Sequence, residues 1–225
     1  MLRTLVILSL GLALAGCGIA PQSATERQDQ PLLNQAPASE AAQPVTLQIP
    51  SIGVDSLDHN WLTLGVQGRK QGDRDVPVTP PGKAGEIEVP PLSDPLKLGF
   101  YCPEGFPVCG APVPGQPGPT VIVGHVNGNG KQGIFAKLRQ LKINAKITIT
   151  REDGRVVTYH VTKVSEPLKT AFPTQEVYGD TEKPELRLIT CGGGNNALEH
   201  IPGAGASYVN QTIVYAVQDS VTKTP

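Results

Sequence analysis

The sequence predicts an all-β fold, a barrel or a sandwich, and three observations carry that reading. Seven or eight short runs between about Val45 and Val217 alternate apolar with polar residues at strand length. The 25 glycines and 22 prolines of the whole chain fall largely between these runs, which leaves room for one or two short helices and no more. No strand–helix–strand rhythm, no internal repeat and no glycine-rich phosphate loop opening a helix is present.

The first 44 residues stand apart from this pattern. Residues 1–16 carry one early charge, Arg3, and then the apolar run "TLVILSLGLALAG", which is too short to span a bilayer and has the layout of a signal peptide. The run stops at "LAGC", which resembles the lipobox of bacterial lipoproteins. That resemblance implies cleavage before Cys17 and acyl chains on it; an ordinary secretory peptide is the alternative, and both export the chain. Residues 17–44 then read as the attachment cysteine and a disordered tether rich in Gln, Ala, Pro, Ser and Glu. Residues 45–217 have the length of one domain, and 218–225 are a C-terminal tail.

Within the domain, "VTLQIPSIGV" opens with a strand that a proline ends, and residues 58–91 hold only short apolar snatches such as "WLTLGV". "PLKLGFYC" and "TVIVGH" (120–125) are strands, the second breaking at Gly124 and His125. "GIFAKLRQLK" (133–142) spaces Ile134, Leu138 and Leu141 for one face of a short helix. Residues 145–166 form two alternating runs that meet at Glu152, Asp153 and Gly154, a tight-hairpin signal. "ELRLITC" and "NQTIVYAV" (210–217) supply two further strands.

Charge and cysteine usage narrow the chemistry. The net charge is -1 and no Lys/Arg cluster exceeds a pair, so a nucleic acid would meet no basic stripe. Of the four cysteines, Cys102 and Cys109 flank the short loop "PEGFPV" and are readily paired as a disulfide in an oxidising compartment. Zinc is the weaker reading of this pair, since none of His59, His125, His160 and His200 lies at zinc-motif spacing from it. Cys191 is left as the unpaired thiol, at the point where "LRLITC" empties into Gly192, Gly193 and Gly194. It is either a small buried hydrophobe or a nucleophile. His125 ends a strand in the same manner and is the candidate proton carrier. His59, His160 and His200 have no evident partner, and His160 falls inside an alternating strand.

The set "LQIPSIGV", "TVIVGHVNG", "GIFAKL", "YGDTEKPELRLITCGG" and "YVNQTIVYA" resembles the sortase family, most closely its class F enzymes. The resemblance implies an eight-stranded, closed β-barrel in which "LITC" ends the seventh strand. It implies a cysteine transpeptidase that needs no cofactor and cleaves an LPxTG-like sorting motif of another exported protein. Cys191 would form the thioester, His125 would move protons, and an amine from the cell wall or a protein would accept the acyl group. A monomer at the outer face of the cell membrane, lipid-anchored or secreted, is the corresponding expectation. Family members place an arginine on the strand after the cysteine loop, whereas no arginine follows Cys191 here. Val209, Asn210 or Gln211 stands near the expected place, and of these Asn210 is the candidate donor of a neutral, weaker hydrogen bond. Arg187 shares the strand face of Cys191 but stands about 13 Å back along the strand, and an ion pair with Glu185 or Asp180 is its structural alternative. Two further readings remain open: a non-catalytic surface β-domain binding peptide or wall polymer, and a thiol hydrolase using water.

Overall fold

The two longest strands of the protein are neighbours, and the main sheet extends to either side of them. The computed structural model describes residues 42–56, 61–76, 86–106, 108–192, 198–201 and 205–223. The expected signal segment, Cys17, nearly all of the tether, and His59 lie outside these residues. The main sheet contains β1 (Pro44–Ile49), β2 (Val54–Asp55), β3 (Trp61–Leu64), β4 (Leu98–Tyr101), β5 (Gly118–Gly124), β6 (Lys146–Arg151), β7 (Arg155–Ser165), β8 (Pro184–Cys191) and β9 (Gln211–Lys223). Their spatial order is β2-β1-β6-β7-β9-β8-β5-β4-β3.

The hairpin predicted over 145–166 forms as β6 and β7. Its turn closes through Gly154 N–H donating to Arg151 O at 3.0 Å, with Gly154 at φ 76°. β7 then pairs antiparallel with β9, which continues past the predicted run to Lys223. β8 lies between β9, antiparallel, and β5, parallel.

The expected closed, eight-stranded barrel is corrected by this topology. The sheet has nine strands and is curled but open, turning through 259° with its edges 12 Å apart. The physical reason lies in its outer strands. Two-residue β2 pairs only with the end of β1, and β3 pairs only with β4, so no ladder joins the two edges. A side chain crosses from one side to the other instead: the Trp61 indole N–H on β3 donates to Val45 O on β1 at 2.8 Å. "LITC" accordingly ends the eighth strand of this sheet in chain order.

The helix predicted over 133–142 is also corrected. Ala136, Leu138, Gln140 and Leu141 N–H each bond the carbonyl three residues back, and only Leu138–Gln140 forms a regular 3-10 turn. Of the predicted face Leu138 and Leu141 are buried and Ile134 only half-buried, with Phe135 beside it fully buried, and the segment winds more tightly than an α-helix. One α-helix, α1 (Thr174–Tyr178), is present among the described residues.

β8 shows how the core is divided. Leu186 and Leu188 pack with Ile122, Val214 and Ala216 in the main core, while Ile189 packs on the other face with Val121, Ile213, Tyr215 and α1's Val177. Both faces of this central strand are therefore covered, and burying each such aliphatic side chain contributes about 1.5–3 kcal/mol. A third cluster gathers Phe100, Cys102, Cys109 and Val113.

Candidate active site

Parallel pairing of β5 and β8 brings together residues far apart in sequence. The ladder runs from Pro184 opposite Gly118 to Ile189 opposite Val123. Two residues beyond its last pair stand Cys191, the last residue of β8, and His125, the first residue after β5, on adjacent strands spaced about 4.8 Å apart.

Cys191 is half-buried and lines a cavity of about 240 Å³ with Phe135, Ala136, Arg139, Thr190, Tyr208 and Thr212 among its walls. The chain leaves the strand through Gly192 at φ 92°, a conformation in which a Cβ would be strained. Two bonds hold this exit: Gly192 N–H to Asn210 O at 2.9 Å, and Thr212 Oγ1–H to Gly192 O at 2.8 Å. Across the cavity Asn127 Nδ2–H donates to the Tyr208 hydroxyl at 2.7 Å. The Thr190 hydroxyl is buried with no hydrogen-bond partner among the described residues.

His125 is 8% exposed, and its Nε2 lies 2.6 Å from Pro90 O. A carbonyl only accepts, so Nε2 carries the proton and Nδ1 is the basic nitrogen of the neutral ring. Among the described residues His125 and Cys191 share no hydrogen bond. The strap over residues 86–97 that supplies Pro90 is fastened at both ends. Glu88 accepts from Gly65 N–H and from the Arg74 guanidinium at 2.9 Å, and Pro95 O accepts from Ile134 N–H at 3.0 Å. Burial works to raise the Glu88 carboxyl, but the Arg74 and Gly65 hydrogen bonds outweigh it and hold it below the ordinary carboxylate range. Gly133 passes so close beneath His125 that a Cβ there would stand 2.1 Å from His125 O.

The remaining predicted residues fall elsewhere. Arg187 is 4% exposed, and its Nε, Nη1 and Nη2 donate to Glu176 O, Leu186 O and Glu185 Oε2 while the guanidinium lies 4.8 Å over the Tyr215 ring. Asn210 Nδ2–H donates to Glu166 O at 3.0 Å, and its backbone carbonyl holds the turn after Cys191. Cys102 and Cys109 are free thiols, without the disulfide expected for an exported chain, and the Cys109 thiol donates to Tyr101 O at 3.9 Å. The fold brings them into contact through the bonds Glu104 N–H to Cys109 O and Cys109 N–H to Gly105 O. His160 pairs with Asp219 at 2.5 Å. Among the described residues no group of three His, Cys, Asp or Glu side chains is placed to hold a metal, and no helix is long and apolar enough to cross a membrane.

Sequence reasoning missed Pro90, Arg139, Thr190, Thr212 and Tyr208. Pro90 acts through a backbone carbonyl and leaves no side-chain signal. Thr190 and Thr212 break apolar runs at strand ends, and that break was the available clue.

A profile described as the sortase domain matches residues 74–219. No curated protein matches the chain. Among solved structures, sortase A of Listeria monocytogenes is similar at 14% identity and TM-score 0.50, covering 82% of this chain and 92% of that one. Sortase C of Streptococcus pneumoniae, described in connection with catalysis and pilin substrate specificity, is similar at 15% identity and TM-score 0.50, covering 83% and 71%. At these identities the solved structures speak for the fold, and the structures found span several sortase classes. With the profile spanning more than half of the sequence, and a thiol and an imidazole ending neighbouring parallel strands, the chain belongs to the sortase family.

Proposed function

We propose that the chain is a cysteine transpeptidase of the class F sortase kind, which cleaves an LPxTG-like sorting motif of another exported protein and passes the acyl group to an amine. The observation that carries this reading is the β5/β8 pair, which ends in His125 on one strand and in a half-buried, cavity-lining thiol on the other. The class assignment rests on the sequence motifs alone.

The chemistry follows from the two side chains. With Nε2–H given to Pro90 O, His125 Nδ1 takes the proton of the Cys191 thiol. The sulfur bonds to the scissile carbonyl carbon, the C–N bond breaks, and the imidazolium returns the proton to the departing amine. A second amine then attacks the thioester and gives its proton to His125, and the Cys191 sulfur leaves. Splitting the transfer into two steps at one sulfur lets a new amine replace the old one. Thiol and imidazole supply both the nucleophile and the proton transfer, so the sequence of steps calls for no cofactor. The strap works as the orienting third group, because the Pro90 carbonyl selects the tautomer. Asn210 is a positioning residue for the turn after Cys191; Arg187, with its donors engaged by protein oxygens, is the less suited of the two to meet substrate. Export, lipidation of Cys17, and oxidation of Cys102 with Cys109 to a disulfide belong to the same reading.

Intact-protein mass spectrometry after incubation with a sorting-motif peptide library tests it. The expected result is a mass increase of one acyl fragment that is absent in Cys191→Ala and discharged by an added amine. Folded protein with a reduced Cys191 that takes no acyl group from any peptide overturns the reading.

A further inference from the structure

We infer that the Tyr208 hydroxyl is the donor that holds the carbonyl oxygen of the acyl donor while the Cys191 sulfur adds to it. The inference rests on the reading that Cys191 is acylated, and goes beyond it by naming a third catalytic group. Addition of sulfur to a carbonyl carbon moves the C=O pair onto the oxygen, and the negative charge that results calls for a hydrogen-bond donor already in place. The two residues that the sequence offers for such a role are turned elsewhere: Arg187 to Glu176 O, Leu186 O and Glu185, and Asn210 Nδ2–H to Glu166 O. Arg139, also on the cavity wall, is exposed and has a partner of its own. Tyr208 is half-buried on the wall of the same cavity, and it joins the ends of the two reacting strands. Its ring lies over the exit of β8, where a Cβ on Gly192 would stand 3.7 Å from the nearest ring carbon. Its hydroxyl reaches the exit of β5, where it accepts from the Nδ2–H of Asn127, two residues after His125, at 2.7 Å. A hydroxyl that accepts one bond keeps its own proton to donate, and accepting from an amide polarises that O–H. The residues on either side of Tyr208 are fastened: Lys169 Nζ donates to Ser207 Oγ at 2.8 Å, and Lys169 N–H donates to Val209 O at 2.9 Å. The donor is thus positioned before the charge develops. As the tetrahedral intermediate forms, Tyr208 donates to its oxyanion and keeps the proton. When the electron pair returns to the carbonyl, the C–N bond breaks and the amine leaves with the proton held by His125.

The test compares two reactions of Cys191 in the full chain, each followed by peptide mapping. p-Nitrophenyl acetate acetylates the thiol through an oxyanion, whereas iodoacetamide alkylates it by displacing iodide and builds none. Dividing the first rate by the second cancels changes in thiolate content and access, which leaves the stabilisation of the carbonyl oxygen. Tyr208→Phe keeps a ring over Gly192 and removes only the hydroxyl; it is expected to lower the ratio about ten-fold while circular dichroism stays that of wild type. Asn127→Ala, which keeps the hydroxyl and removes its partner, is expected to lower the ratio by about two- to three-fold. A ratio unchanged in Tyr208→Phe, including the case in which both rates fall together, overturns the inference. With the sorting-motif peptide that acylates Cys191 fastest, Tyr208→Phe is expected to lower kcat about 10²-fold and to change KM by about three-fold at most, because the bond is made in the transition state. A loss confined to KM overturns the inference and leaves the transpeptidase reading in place. Acetylation of Cys191 that depends on Tyr208, in a protein that takes no acyl group from any peptide, supports the inference and overturns the transpeptidase reading.

Discussion

Cys191 and the pair Cys102–Cys109 place one kind of side chain in opposite surroundings. Cys102 and Cys109 are 0% and 1% exposed and packed with Phe100 and Val113, and the Cys109 thiol donates to Tyr101 O at 3.9 Å. The neighbouring Cys109 thiol and burial push the Cys102 thiol up. Cys191 instead ends a strand at a cavity wall, beside a strand that ends in a histidine. Thiol reactivity requires access and a route for the proton, and residue type supplies neither. The first site is sealed in apolar surroundings, the second opens to a cavity.

The largest effect expected is in alkylation. Iodoacetamide should modify Cys191 of the native, reduced protein roughly 10²-fold or more faster than Cys102 or Cys109, whose labelling awaits local opening. Comparable labelling of Cys109, read by peptide mapping, breaks the contrast. His125→Ala comes next. It should lower turnover about 10²-fold or more while circular dichroism stays that of the folded protein, since proton transfer is lost and the main sheet is kept. Turnover equal to wild type would detach His125 from the Cys191 end of the comparison.

Smaller effects separate structure from chemistry near the two sites. Arg187→Ala should destabilise by about 2–4 kcal/mol in urea titration, because it strands Glu185 and removes the cation over Tyr215. A loss of acylation at unchanged stability would instead assign Arg187 to the substrate. Oxidising Cys102 with Cys109 should stabilise by about 2 kcal/mol relative to the reduced protein, the chain-entropy value for a short loop. A denaturation midpoint insensitive to reductant contradicts it.

The smallest effect concerns pH. The Glu88 carboxyl is held below the ordinary carboxylate range, so the folded state binds a proton less readily than the unfolded state. Its contribution is present above about pH 4.3, the unfolded value, and is lost as pH falls through the lower folded value. The Arg74–Glu88 pair is partly exposed, so the contribution is under about 1 kcal/mol. Between pH 7 and pH 3 the melting temperature of wild type should therefore fall about 1–3 °C further than that of Glu88→Gln. An equal fall in both would show that the fastening of the strap is insensitive to this carboxyl.

Local pattern explains what was legible. The run "VTYHVTKV" reads as a strand in isolation because alternation is a property of consecutive side chains, and the β6–β7 turn is written in Asp153 and Gly154. The segment from Gly133 to Leu141 misled for the same reason: Phe135, Leu138 and Leu141 are buried as a short amphipathic turn requires, but spacing over three residues does not separate 3-10 from α winding. Barrel closure was not legible, because it depends on whether β2 and β3 meet, and the contact that crosses between the two sides is the Trp61 indole on Val45 O. Nor was the covering of both faces of β8, since the helix that shields Ile189 comes from a stretch with no helical period in the sequence reading.

By itself the sequence determined most of the strands of the main sheet, the tight turn at Asp153 and Gly154, and that a thiol and an imidazole each stand at the end of an alternating run before glycine-containing loops. These follow from backbone sterics and side-chain alternation, which act over a few residues. Only the tertiary structure decided that β5 and β8 lie side by side in parallel, that Pro90 O fixes the tautomer of His125, and that Arg139 shares a cavity with Cys191. Each of these joins segments distant in the chain, where the entropy of closing a long loop is offset by the summed burial of many side chains, and no short stretch of residues encodes that sum.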